Sequence, residues 1–168
     1  IEYAEETGRS TGVVTTTRLT HATPAACYAH SADRDWESDS DIFTRNKDAH
    51  TSGFPDIARQ LIEFPYGDGL EVALGGGRTK FLPTEAVDPE YADRNGERLD
   101  KRDLTKEWLS KYKRSAYVWN KAQFDLADVK STKHLLGLFE RSHMQFESNR
   151  TSDKAGEPSL SEMTTKAI

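Results

Sequence analysis

GVVTTTRLTHATPAACYAHSADRDW, residues 12–36, is the stretch around which the chain is organised. It opens with Val13-Val14-Thr15-Thr16-Thr17, a β-branched run that reads as a buried strand. Pro24 is placed to start a short helix over 25–30, because its missing N–H costs nothing in a first turn. The chain then reaches Asp33-Arg34-Asp35-Trp36. In an open α/β sheet, ligands bind beyond the carboxyl ends of strands, and this segment lies there. Thr23 offers a hydroxyl oxygen suited to a hard cation such as Mg²⁺, with His21 beside it as a direct or water-mediated ligand. Arg34 offers a planar fork that matches two phosphate oxygens, and Asp33 or Asp35 is placed to hold that fork. An ordinary alternative stands beside this: Thr23 caps the helix and Arg34 makes a surface ion pair.

VVTTTRLTHATPAACYAHSADRDW closely resembles the alkaline phosphatase family over a long, ordered match. The resemblance implies that Thr23 binds Mg²⁺, that His21 lies beside the metal and its waters, and that Arg34 binds the substrate phosphate. In the family tetrad, the residues on either side of the tetrad arginine differ from Asp33 and Asp35 here. The implied reaction is hydrolysis of phosphate monoesters through a phosphoserine, with two Zn²⁺ ions completing the machinery.

Working outward, residues 1–8 read as the last turns of a helix closed by Gly8. Residues 37–53 read as a solvated surface loop. Glu37, Asp39 and Asp41 alternate there without the glycine or closing glutamate of a calcium loop. A helix is expected over 54–64, with Ile57, Leu61 and Phe64 on one face, and a short strand over 70–74. Gly75-Gly76-Gly77-Arg78 reads as a tight structural turn, since no Gly-Lys-Ser/Thr follows. DIARQLI…VALGGGR also resembles the same family, where this helix and strand pack beside the site. Residues 84–103 read as a second surface loop. A helix over 104–112 presents Leu104, Trp108 and Leu109 to one side; a strand is expected over 115–119. A further helix over 121–128 offers Phe124 and Leu126 for burial, and a buried strand follows over 133–139. This alternation predicts an α/β fold, a mostly parallel sheet with crossover helices. The family resemblance makes it a three-layer sandwich, incomplete in this chain.

The last segment holds a second constellation. A strand-end Phe139-Glu140 and a loop leading to Glu157-Pro158-Ser159 bring together carboxylates and a carbonyl, the ligand types Ca²⁺ prefers. By resemblance to animal-type alkaline phosphatases, a peripheral Ca²⁺ is held by Glu90 of Asp-Pro-Glu-Tyr, the Phe139 carbonyl, Glu140 and Glu157. The alternative is a set of solvated carboxylates.

Composition bounds the rest. The chain has 168 residues, 35% hydrophobic and 30% charged, enough for one core. A net charge of −5 argues against nucleic acid as a partner, and no apolar run is long enough to span a membrane. Cys27 reads as a small buried residue, and the five histidines are too scattered for a zinc site. The resemblance implies that residues 1–168 are the central portion of a longer alkaline phosphatase catalytic domain, whose serine nucleophile and zinc ligands lie in other segments. The resemblance implies a periplasmic or secreted homodimer acting on phosphate monoesters. A non-catalytic calcium- or phosphate-binding module and a related phosphotransferase or sulfatase remain open.

Overall fold

The computed structural model describes all 168 residues. Helix α1 (Glu2–Glu6) leads to strand β1 (Gly12–Arg18), and a single-turn helix α2 (Ala22–Ala25) follows. Helices α3 (Asp39–Arg45), α4 (Lys47–Thr51) and α5 (Ile57–Glu63) precede strand β2 (Val72–Gly76). Helix α6 (Leu104–Lys111), strand β3 (Ser115–Val118), helix α7 (Lys121–Leu126), strand β4 (His134–Leu138) and helix α8 (Leu160–Ala167) complete the order. The four strands form one parallel sheet in the order β1-β2-β4-β3. No helix is long and apolar enough to cross a membrane.

The sheet separates two apolar layers. Leu136 and Leu138 point to the face covered by Ile57, Leu61 and Ile62 of α5 and Leu104 and Trp108 of α6. Leu135 and Phe139 point the other way, to Phe124 of α7 and Met163 of α8. This period of two, with apolar residues on both faces, is what a parallel central strand requires, and β4 is buried throughout. The fold is a three-layer α/β sandwich.

Several sequence expectations shift. Residues 37–53 are not a loop but contain α3 and α4. Ser38 and Asp41 form a capping box, and the Asn46 side chain accepts the Ala49 N–H, so capping overrides the polar composition. The alternating acids are not solvated: Glu37 and Asp39 are buried, and Asp41 pairs with Lys80 at 2.9 Å. β1 is an edge strand with only Val13 buried, and its register shifts between Val14 and Arg18, where Thr15 and Thr17 hydrogen-bond to each other. α2 begins at Ala22, three residues earlier than expected, with Pro24 still in its first turn. β2 extends through Gly75 and Gly76, so only Gly77 (φ 94°) makes the turn. A Cβ at Gly76 would lie 2.1 Å from the Ser142 carbonyl, so only glycine permits that approach. Cys27 is exposed, and Leu109 and Leu126 face solvent at 44% and 84% exposure. Residues 84–103 do form a loop, folded by two isolated bridges, Pro83 with Arg98 and Val87 with Asn95.

Candidate functional site

The carboxyl end of β1 is braced from beneath. The Arg18 guanidinium grips Glu37 through Nε (2.8 Å) and Nη2 (2.6 Å), and the Thr20 hydroxyl donates to the same carboxylate at 2.5 Å. Burial pushes the Glu37 carboxyl up, but Arg18 and Thr20 outweigh it and hold it below its ordinary value. Tyr28 Oη donates to the Leu19 carbonyl at 2.9 Å, fixing the turn that presents His21. His21 Nε2 lies 3.3 Å from Arg34 Nη2, while its Nδ1 is buried without a partner. Thr23 and Arg34 are both exposed on this edge.

Neither neighbouring acid holds the Arg34 fork. Asp33 accepts the Asp35 N–H at 2.9 Å, and Asp35 pairs with Arg45 at 3.0 Å. His21 is the side chain that meets Arg34. His143, which no sequence signal marked, stands edge-on to His21 with ring centroids 5.3 Å apart. Its Nε2 lies 2.8 Å from Arg18 Nη1, so the loop after β4 touches this edge.

That loop also carries the second cluster. Arg78 is fully buried and makes paired 2.9 Å hydrogen bonds to Asp88 and one of 2.8 Å to Glu90 Oε2. Glu140 Oε1 accepts from Tyr91 Oη (3.1 Å) and Gln145 Nε2 (3.0 Å), and its Oε2 accepts the Arg141 N–H at 2.8 Å. Glu157 Oε1 accepts the Gln145 N–H at 2.7 Å. Carboxylate oxygens of Glu90, Glu140 and Asp153 all lie within 4.8 Å of one another. Three buried oxygens here have no hydrogen-bond partner: Glu90 Oε1, Asp153 Oδ2 and Glu157 Oε2. Burial and the neighbouring Glu140 and Asp153 charges push Glu90 up to about 6. Burial and the charges of Asp153, Glu140 and Glu90 push Glu157 up to about 7. Buried, mutually repelling oxygens without donors are what a cation site looks like before its cation is counted.

The structure thus brings His21 next to Arg34, with Thr23 on the same edge, and gathers Glu90 and Glu140, with Phe139 adjoining Glu140 and Glu157 nearby but outside the closest cluster. It adds Asp153, which lies in a polar loop where no periodicity or motif distinguishes one acid from another. None of the three acid groups able to hold a metal contains histidine or cysteine, so the residues here do not fit zinc.

The alkaline phosphatase family model matches residues 1–168. This chain belongs to the alkaline phosphatase family. It is 42% identical to the human tissue-nonspecific alkaline phosphatase isozyme over 174 residues, covering 100% of this chain and 32% of that protein. It is 44% identical to the alkaline phosphatase of Gadus morhua, covering 100% of this chain and 35% of the relative. Among solved structures, the Thermus thermophilus alkaline phosphatase matches with a TM-score of 0.69 at 31% identity, covering 99% of this chain and 27% of the other. The chain spans about a third of the length of these curated relatives.

Proposed function

We propose that this chain is the central part of an alkaline phosphatase catalytic domain, hydrolysing phosphate monoesters in the longer protein through a phosphoserine. The observation that carries the reading is the His21–Arg34 contact beside Thr23 at the carboxyl end of β1. Arg34 takes two equatorial phosphate oxygens with its planar fork, and His21 orients that fork from behind. The Thr23 hydroxyl is an oxygen ligand for Mg²⁺, and the unpartnered His21 Nδ1 fits a water on the ion. When bound, such a metal neutralises charge that builds on the phosphoryl group. The serine nucleophile and zinc ligands belong to other segments of the longer protein. The isolated chain is therefore expected to leave a chromogenic phosphate monoester intact. Periplasmic or secreted location and homodimeric assembly are part of this proposal on the family resemblance alone.

The test is Arg34→Ala in the longer protein. Loss of two charge-assisted hydrogen bonds, each about 1.5–3 kcal/mol, predicts a drop in kcat/KM and phosphate affinity of at least about a hundredfold. Wild-type kinetics would remove Arg34 from the site.

A second reading concerns this chain by itself, and the three orphaned oxygens favour it. Glu90, Glu140, Glu157, the Phe139 carbonyl and Asp153 form a Ca²⁺ site. Ca²⁺ is expected to raise the melting temperature of the chain, and Glu140→Ala to reduce the increase. Identical melting with and without Ca²⁺ counts against it.

A further inference from the structure

The amino end of the sheet, opposite the phosphate edge, carries a group of acids that the proposed reaction does not use. Glu5 of α1, Asp68 of the turn before β2, and Glu71 at the start of β2 each bring a carboxylate oxygen within 4.8 Å of the others. Each commits one oxygen to a neighbour. The Thr11 hydroxyl donates to Glu5 Oε1, the Thr11 N–H to Glu71 Oε2 at 2.7 Å, and the Lys133 ammonium to Asp68 Oδ2. Glu5 Oε2, Glu71 Oε1 and Asp68 Oδ1 receive no hydrogen bond from another residue's side chain. One ammonium against three carboxylates leaves the group short of positive charge.

A separate feature lies against the turn that carries Asp68. Tyr112 is 8% exposed, yet its hydroxyl has no hydrogen-bond partner. Its ring stacks on His134 at 4.2 Å and packs edge-on against Trp108 at 4.7 Å, so the hydroxyl cannot swing to solvent. Its direction is read from two glycines. A Cβ at Gly69 would lie 2.3 Å from Tyr112 Oη, and one at Gly67 would lie 2.5 Å from Glu5 Oε2. These glycines flank Asp68, so the orphaned hydroxyl and the free oxygen of Glu5 abut the same turn. Burial and the charges of Glu5, Asp68 and Glu71 push the Tyr112 hydroxyl up to about 12, so it stays neutral. Burial, with the charges of Glu71 and Asp68, also raises Glu5.

We propose that Glu5, Asp68 and Glu71 form a further divalent-cation site, with Tyr112 Oη accepting from a water on the bound ion. The donor set is all oxygen. Ca–O distances of about 2.3–2.6 Å make a coordination shell about 4.6–5.2 Å across, so oxygens lying within 4.8 Å of one another can share one such ion. The ion ties α1 to the turn before β2, and Lys133 is its built-in competitor.

The experiment is calorimetric Ca²⁺ titration of the chelator-stripped chain carrying Glu140→Ala, which disables the Glu90–Glu140–Asp153 cluster. One equivalent of Ca²⁺ is expected to bind, and to be lost when Asp68→Asn is added. Lys133→Ala in the same background is expected to tighten binding severalfold, because a like charge leaves the ion's surroundings. Asp68 and Lys133 are surface residues, and a urea midpoint measured in chelator verifies that each variant is folded. Three outcomes overturn the site: no Ca²⁺ bound by the Glu140→Ala chain, undiminished binding after Asp68→Asn, or weaker binding after Lys133→Ala. None of these bears on Arg34 or on phosphate hydrolysis.

Discussion

Arg98 and Glu140 centre two buried charge clusters that reach opposite conclusions. Arg98 is fully buried, and all five of its N–H donors are used. Asp56 and Asp100 take four of them and the Lys80 carbonyl the fifth, while Asp39 accepts the N–H groups of Leu99 and Asp100. Asp56 also caps α5 through the Arg59 N–H. Nothing is left over, so this cluster fastens residues 84–103 to α3 and α5. Around Glu140 the oxygens outnumber their donors, and three stay unpaired. The closed cluster is architecture, and the open one is where the proposed Ca²⁺ would sit. That distinction separates two acidic sets that composition cannot.

The largest effect should come from opening the closed cluster. Arg98→Ala strands Asp56, Asp39 and Asp100 without a counter-charge, at a cost of about 3–5 kcal/mol. A urea midpoint shift below about 1 kcal/mol would refute the structural role. A smaller effect, of opposite character, belongs to the open cluster. Glu90 and Glu157 hold protons in the folded state above the unfolded value of 4.5, up to about 6 and about 7. The folded chain thus binds more protons than the unfolded one across that window, and stability falls as pH rises through it. At about 1.4 kcal/mol per unit, Glu157 alone accounts for on the order of 2–3 kcal/mol. Urea unfolding in chelator at pH 5 and pH 8 measures the loss, and saturating Ca²⁺ should flatten it; a chain more stable at pH 8 in chelator would contradict the clustering. Smaller again, Glu157→Gln should stabilise the chelated chain at pH 8 by about 1 kcal/mol while weakening its response to Ca²⁺. Smallest is Arg34→Ala, an exposed substitution expected to move stability by less than about 0.5 kcal/mol whatever it does to phosphate. A large loss there would make Arg34 a structural residue.

Much of the architecture was legible because it is local. The run Val13–Thr17, the apolar strand around Leu135–Leu138 and the helical face of Ile57 and Leu61 each state their own element. The helices at 39–51 were missed because polar composition masked capping signals that Ser38, Asp41 and Asn46 do carry. The strand order, the edge position of β1 and the buried state of Glu37 depend on tertiary pairing with residues far along the chain. The same holds at the candidate sites. Thr23, His21, Arg34, Glu90, Phe139, Glu140 and Glu157 stood in recognisable motifs. Asp153 and His143 are placed only by how the loop after β4 folds back, and a loop acid or histidine carries no period to betray it.

The register of the sheet also orders its assembly in time. Ser115 meets His134 across a short stretch of chain, whereas Gly12 meets Val72 and Val72 meets Leu135 only after long loops have closed. Loop-closure entropy has to be met before such distant pairings reward it, so β3 and β4 are the natural early pair and β1 the late addition. The segment from Arg18 to Arg34 hangs from β1. The part of the chain proposed to grip phosphate is then among the last to acquire its shape.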